Sequence, residues 1–140
     1  MATAWAWMGT LLVSILVATA GTASSSEQEA AMQAGATQLT SDEIAELIVG
    51  KTVTAKSGDK RFLFHYSEDN VLSGKMIDGD WSDTGYYGIT DDDRVCLSMT
   101  NDQGRLRCLT LLKADDTVKK YNADGDMTFE LLEFQEGNQL

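Results

Sequence analysis

The sequence predicts an all-β fold: an eight-stranded antiparallel meander closing as a small barrel or sandwich, with one short N-terminal helix. Three observations carry this prediction. From Lys51 onward apolar residues recur at every second position, the period of half-buried strands. The apolar stretches are short and separated by clusters of Asp, Asn, Ser and Gly, the pattern of hairpin-linked strands. Pro is absent from the 140 residues while Gly numbers 12, so the turns must be made by Gly, Asn and Asp. Closure of eight strands would remove the exposed edges that invite aggregation.

At the N-terminus, Ala2 to Ser26 carries no charged side chain, and Met8 to Ala20 is an apolar run of signal-peptide length. Ala18-Thr19-Ala20 and Gly21-Thr22-Ala23 are small-x-small sites. They predict a secretory signal peptide over residues 1–23, cleaved after Ala20 or Ala23. The usual basic start is missing, the first Lys or Arg being Lys51. An uncleaved anchor would need about 20 apolar residues. Thr, Ser and Gly interrupt this run and no basic cluster follows it, which favours cleavage. The expected location is the periplasm or the extracellular space, with membrane contact only through the signal peptide.

Residues 24–38, SSSEQEAAMQAGATQ with Ser24 first, are small and polar and predict a flexible linker, with a frayed helix over Glu27–Ala34 as the alternative. Residues 39–140 form the expected β domain. Its helix runs from Leu39 to Gly50. Thr40 and Glu43 make a capping box, and Leu39 and Ile44 hold the staple positions. Ile44, Leu47 and Ile48 form one apolar stripe that must pack on the sheet, and Gly50 suits the left-handed exit.

The strands are expected at Lys51–Ala55, Arg61–Tyr66, Val71–Ile77, Trp81–Ile89, Arg94–Thr100, Arg105–Lys113, Val118–Tyr121 and Met127–Phe134. Alternation assigns the core to Phe62, Phe64 and Tyr66; Trp81, Tyr87 and Ile89; Val95, Leu97 and Met99; Leu106 and Leu112 beside Cys108; and Met127, Phe129 and Leu131. The run Leu109–Leu112 is apolar on both faces apart from Thr110, so its strand is expected to be central or covered on its outer side.

Cys96 and Cys108 are the only cysteines. They flank Asn101-Asp102-Gln103-Gly104, a turn sequence with a left-handed residue after it. Pairing Thr100 with Gln103 or Gly104 brings Cys96 to or near the position facing Cys108. A cross-strand disulfide is therefore predicted, in keeping with export. The spacing does not fit a CxxC redox or zinc motif.

No catalytic residue, metal ligand or cofactor is assigned. His65, the only histidine, has no assignable nucleophile and reads as a packing or surface residue. Placing Gly125 at position 6 of a calcium loop puts Lys120 and Leu131 where acids belong, so the template fails. The run Asp91-Asp92-Asp93 reads as turn chemistry. Trp81, Asp83, Tyr86 and Tyr87 are the candidate ligand-binding residues, because amphipathic aromatics gather at cavity mouths. The 22 acids outnumber the 11 bases, giving a net charge of −11 that repels nucleic acid. A basic protein or a small ligand is the expected partner.

Several short stretches resemble a group of small exported proteobacterial proteins built on one all-β domain of unknown function. They are Gly50-Lys51-Thr52-Val53, Tyr66 with its acidic turn, Leu72-Ser73-Gly74, Trp81 with Thr84-Gly85-Tyr86, Cys96-Leu97, Cys108 and Glu136-Gly137-Asn138. That resemblance implies export and a disulfide-linked β domain, and no reaction. A more distant likeness is to the C-type lysozyme inhibitors, whose inhibitory loop has only Leu72-Ser73-Gly74-Lys75-Met76 as a counterpart here. The expected function is an exported non-enzymatic binding module. The alternatives are a periplasmic inhibitor of a basic enzyme such as lysozyme and a hydrolase with converging carboxylates.

Overall fold

The computed structural model describes residues 24–140, so the predicted signal peptide lies outside the described residues. In chain order the elements are α1 (Glu27–Gln33), β1 (Thr37–Gln38), α2 (Ser41–Ile48), β2 (Lys51–Ser57), β3 (Lys60–Tyr66), β4 (Val71–Met76) and β5 (Ser82–Ile89). There follow β6 (Val95–Met99), a 3₁₀ turn (Thr100–Asp102), β7 (Leu106–Ala114), β8 (Thr117–Tyr121) and β9 (Met127–Glu136). From β2 to β9 each strand pairs antiparallel with the next, and β2 also pairs with β9. The meander is therefore a closed eight-stranded barrel and not a sandwich. All eight predicted strands are present. Their turns use Asn70, Asp78, Asp93, Gln103 and Asp115 at positive φ, mostly residue types whose short polar side chains tolerate the left-handed region.

Closure draws on two β-bulges. Thr54 pairs with Glu133 but Ala55 pairs with Leu131, and Lys120 pairs with Phe129 but Tyr121 pairs with Met127. Each extra residue on β9 bends that strand and raises its twist. The second bulge, at Thr128, corrects the expected core: Met127 leaves the face of Phe129 and Leu131 and is 39% exposed. Strict alternation cannot foresee an inserted residue.

A second correction concerns β7. Val95 faces Leu109 and Leu97 faces Arg107, whereas Cys96 faces Cys108 and Ser98 faces Leu106. Facing residues share a side of the sheet. With Val95, Leu97 and Met99 buried inside, Cys108 and Leu106 must point outward. Leu106 is 69% exposed, and Leu109 and Leu111 fill the interior instead.

Residues 24–38 are not a bare linker, and α1 falls where the sequence offered a helix over Glu27–Ala34 as the alternative. The segment holds α1 and β1, both docked on the barrel, so there are two helices instead of one and an additional strand. β1 pairs with the end of β7 that lies beyond its pairing with β6. Ser26 caps α1, the Gln28 N–H donates to Gly125 O (2.9 Å), and the Met127 N–H donates to Glu27 Oε2 (2.7 Å). Ala31 and Ala36 cover Leu112 and Tyr121 on the outer face. The small side chains that suggested a linker are what let the backbone lie this close. The apolar outer side of β7 is thus covered, by α1.

α2 closes one end of the barrel. Its capping box is complete, with Glu43 N to Thr40 Oγ1 at 3.2 Å and Thr40 N to Glu43 Oε1 at 3.1 Å. Ile44 and Ile48 are fully buried in the core with Leu39, Val53, Tyr66, Tyr87 and Val95. Asp93 ties this plug to the β5–β6 turn, its Oδ1 accepting from Ser41 N (2.7 Å) and Ser41 Oγ (2.8 Å).

Candidate functional site at the open end of the barrel

The end opposite α2 is formed by the start of β3, β5, β7 and β9 and by the finish of β4, β6 and β8. A cavity of about 670 Å³ opens there, within the range of small-molecule pockets. Its walls follow from strand alternation: Phe62 and Phe64 from β3, Leu97 and Met99 from β6, Leu109 from β7 and Phe129 from β9. The rings meet edge to face. Phe62 lies 5.5 Å from Trp81 and 5.6 Å from Phe129, and Phe64 lies 5.5 Å from Phe129. Gly74 makes room for this cluster, since a Cβ there would come within 2.7 Å of the Phe64 ring.

Lys120 projects into this apolar interior. It lies on the inner face of β8 beside the Thr128 bulge and is only 2% exposed. Its Nζ donates to the Tyr66 hydroxyl and stands 5.0 Å from the Tyr66 ring centroid and 5.8 Å from that of Phe64. Four ion pairs occur among the described residues, and Lys120 takes part in none. A buried ammonium without a carboxylate is costly, and a hydroxyl and two ring faces compensate only in part.

The cavity lining holds the cations Lys60, Arg105, Arg107 and Lys120 against the acids Asp83 and Asp124. Asp102 pairs with Arg105 at 3.1 Å and with Arg107 at 3.2 Å. Even with Asp102 counted, cations outnumber acids here, on a chain with twice as many acids as bases.

The structure separates the four candidate ligand residues. Trp81 lines the cavity. Asp83 also borders it, but its carboxylate accepts from the Asn101 N–H (3.1 Å to each oxygen) and from the Thr84 N–H (2.8 Å), which holds the 3₁₀ turn against β5. Tyr86 is 68% exposed on the outer face. Tyr87 is buried near the α2 end, where its hydroxyl donates to Ser67 O (2.5 Å) and its ring meets Tyr66 edge-on at 5.0 Å. Lys120 was missed, although alternation held the signal. Once Val118 faces inward on β8, Lys120 must follow it.

Outside the cavity, His65 Nδ1 lies 3.4 Å from Thr52 Oγ1 on the outer face. Asp92 takes hydrogen bonds from Thr90 and Arg94, and these hold its carboxyl below the usual range. Among the described residues no group of three or more His, Cys, Asp or Glu is placed to share a metal ion. Leu72–Met76 lies within β4, paired on both sides, rather than in a loop. No described helix is long and apolar enough to cross a membrane. Comparison of the chain with protein-family models, with curated proteins and with solved structures finds no match.

Proposed function

We propose that this protein is an exported, non-enzymatic binding module whose barrel interior receives a small, largely apolar molecule. The observation that carries the reading is the cavity of about 670 Å³ walled by aromatic and aliphatic side chains and reached from one end of the barrel. The walls are preformed by strands that pair on both sides, so a ligand entering them orders little of the protein and loses little affinity to ordering. The disulfide supports an oxidising compartment, as the N-terminal apolar run does.

Two carboxylates border the cavity, and backbone N–H groups already occupy Asp83, which supports binding over hydrolysis. A basic protein as partner draws on the net charge of −11, whereas the cavity favours a small ligand. The test is titration with a neutral apolar fluorophore, N-phenyl-1-naphthylamine. Its emission is expected to rise and to saturate at one probe per chain. Arg107→Trp, which sets an indole over the mouth from an exposed position, is expected to reduce the rise several-fold. No saturable rise in the wild-type chain would remove the proposal.

A further inference from the structure

We infer that the cavity selects an amphipathic organic anion, such as a medium-chain carboxylate, whose acidic head reaches Lys120 and the Tyr66 hydroxyl while its apolar body lies along Phe62, Phe64, Trp81 and Phe129. This rests on the binding function proposed above and names the ligand class of the same cavity.

Lys120 carries the argument. Lysine is almost never fully buried unless it is paired. Here it is 2% exposed, points into the cavity and has no carboxylate as an ion-pair partner among the described residues. Among the described residues the one hydrogen-bond partner of its Nζ is the Tyr66 hydroxyl. An ammonium has three donors, so two remain. A carboxylate in the cavity would take them and supply the opposite charge that the interior lacks. In a low-dielectric surrounding such a charge-assisted contact is stronger than a neutral one.

The rest of the cavity agrees in its chemistry. The aromatic walls suit an apolar body and offer it no other strong polar partner at that depth. At the rim Lys60, Arg105 and Arg107 are exposed around the opening and are matched in number by Asp83, Asp102 and Asp124, so the excess positive charge of the cavity is that of Lys120 inside it. An anionic head is thus drawn to the deep ammonium and not to the balanced rim. A purely structural lysine would explain burial, but not an Nζ with two unused donors facing a cavity.

The experiment is calorimetric titration of the full chain at neutral pH with decanoate, decanol and decyltrimethylammonium, in the wild type, Lys120→Met and Lys60→Gln. The wild type is expected to bind decanoate at least tenfold more tightly than decanol and to bind the cation least. Lys120→Met retains the length and packing of the side chain. It is expected to weaken decanoate by about 10- to 100-fold, the range of a lost charged hydrogen bond, while leaving decanol unchanged or tighter. Lys60→Gln should alter decanoate affinity less than threefold. Equal binding of decanoate and decanol by the wild type would overturn the anion assignment and leave the binding function standing. So would a loss of decanoate in Lys60→Gln that Lys120→Met does not share. Failure of all three ligands together with the neutral fluorophore would remove both. The wild-type comparison of decanoate with decanol decides the matter even if Lys120→Met does not fold.

Discussion

Tyr87 shows at the scale of one residue how burial becomes a pH dependence. Burial pushes its phenol above the ordinary value of 10.0, and the nearby Tyr66, Asp69 and Glu68 push the same way. The folded chain therefore holds this proton after the unfolded chain has begun to release it. With fewer protons bound when unfolded, stability falls as pH rises above about 10 and continues to fall until the folded phenol ionises. Ionisation would also remove the hydrogen that Tyr87 donates to Ser67 O. Urea midpoints measured from pH 8 to 11 are expected to decline less steeply in Tyr87→Phe than in the wild type. Tyr121 is raised as well, by burial and then by the charge of Glu27, so a residual slope is expected.

At the scale of elements, the β6–β7 hairpin holds the disulfide. The sulfurs of Cys96 and Cys108 are bonded at 2.04 Å, and their Cα atoms lie 3.9 Å apart at directly facing positions. The turn between the strands carries two left-handed residues, Gln103 (φ 56) and Gly104 (φ 72), after its 3₁₀ segment. Cys108 borders the cavity, but its side chain shares the outer face with Cys96, so loss of the bridge should leave the inward-facing aromatic walls in place. Replacing both cysteines by serine is expected to lower stability by about 1–3 kcal/mol, since a short loop limits the entropy that the bridge removes from the unfolded chain. Neutral-fluorophore binding should persist in that variant. Thiol labelling of the denatured, unreduced protein should show no free thiol, and with cleavage as proposed its intact mass should show a start after Ala20 or Ala23. The neighbouring contact of β5 with β6 is fixed in another way: a Cβ on Gly85 would meet Ser98 O at 2.1 Å, so only glycine allows that approach.

For the whole molecule, the order of strands makes seven barrel pairings local and one distant, and β1 on β7 adds a second distant pairing outside the barrel. β2 must find β9, setting Val53 against Phe134. Such a contact joins the ends of the domain, and its loop-closure entropy has to be met before any contact compensates. We therefore expect β2–β9 closure to follow the hairpins. Val53 is fully buried at this seam, and Val53→Ala should lower stability by about 1–3 kcal/mol. In a chevron measurement most of that loss is expected as faster unfolding, while Leu97→Ala, in the β6–β7 hairpin, should slow folding as well. An equal effect of Val53→Ala on both arms would place closure in the transition state instead.

The sequence by itself determined the parts of this protein that depend on neighbours along the chain. A period of two set the strands, Asx and Gly clusters set the turns, and Thr40 with Glu43 set the start of α2. The cysteine pair also fell within this reach, because one hairpin register decides it. Tertiary structure alone decided the rest. Closure chose a barrel over a sandwich, since pairing of β2 with β9 leaves no local mark. The bulge at Thr128 turned Met127 out, and the register of β6 against β7 turned Leu106 out. The short polar segment before Leu39 became α1 and β1 because the barrel gave their small side chains a surface to cover. The cavity was hidden for the same reason: Phe62, Lys120 and Phe129 lie on three different strands and Trp81 lies in the turn before a fourth. Only the closed barrel brings them to one opening, and only its burial of Lys120 turns an ordinary strand lysine into a site.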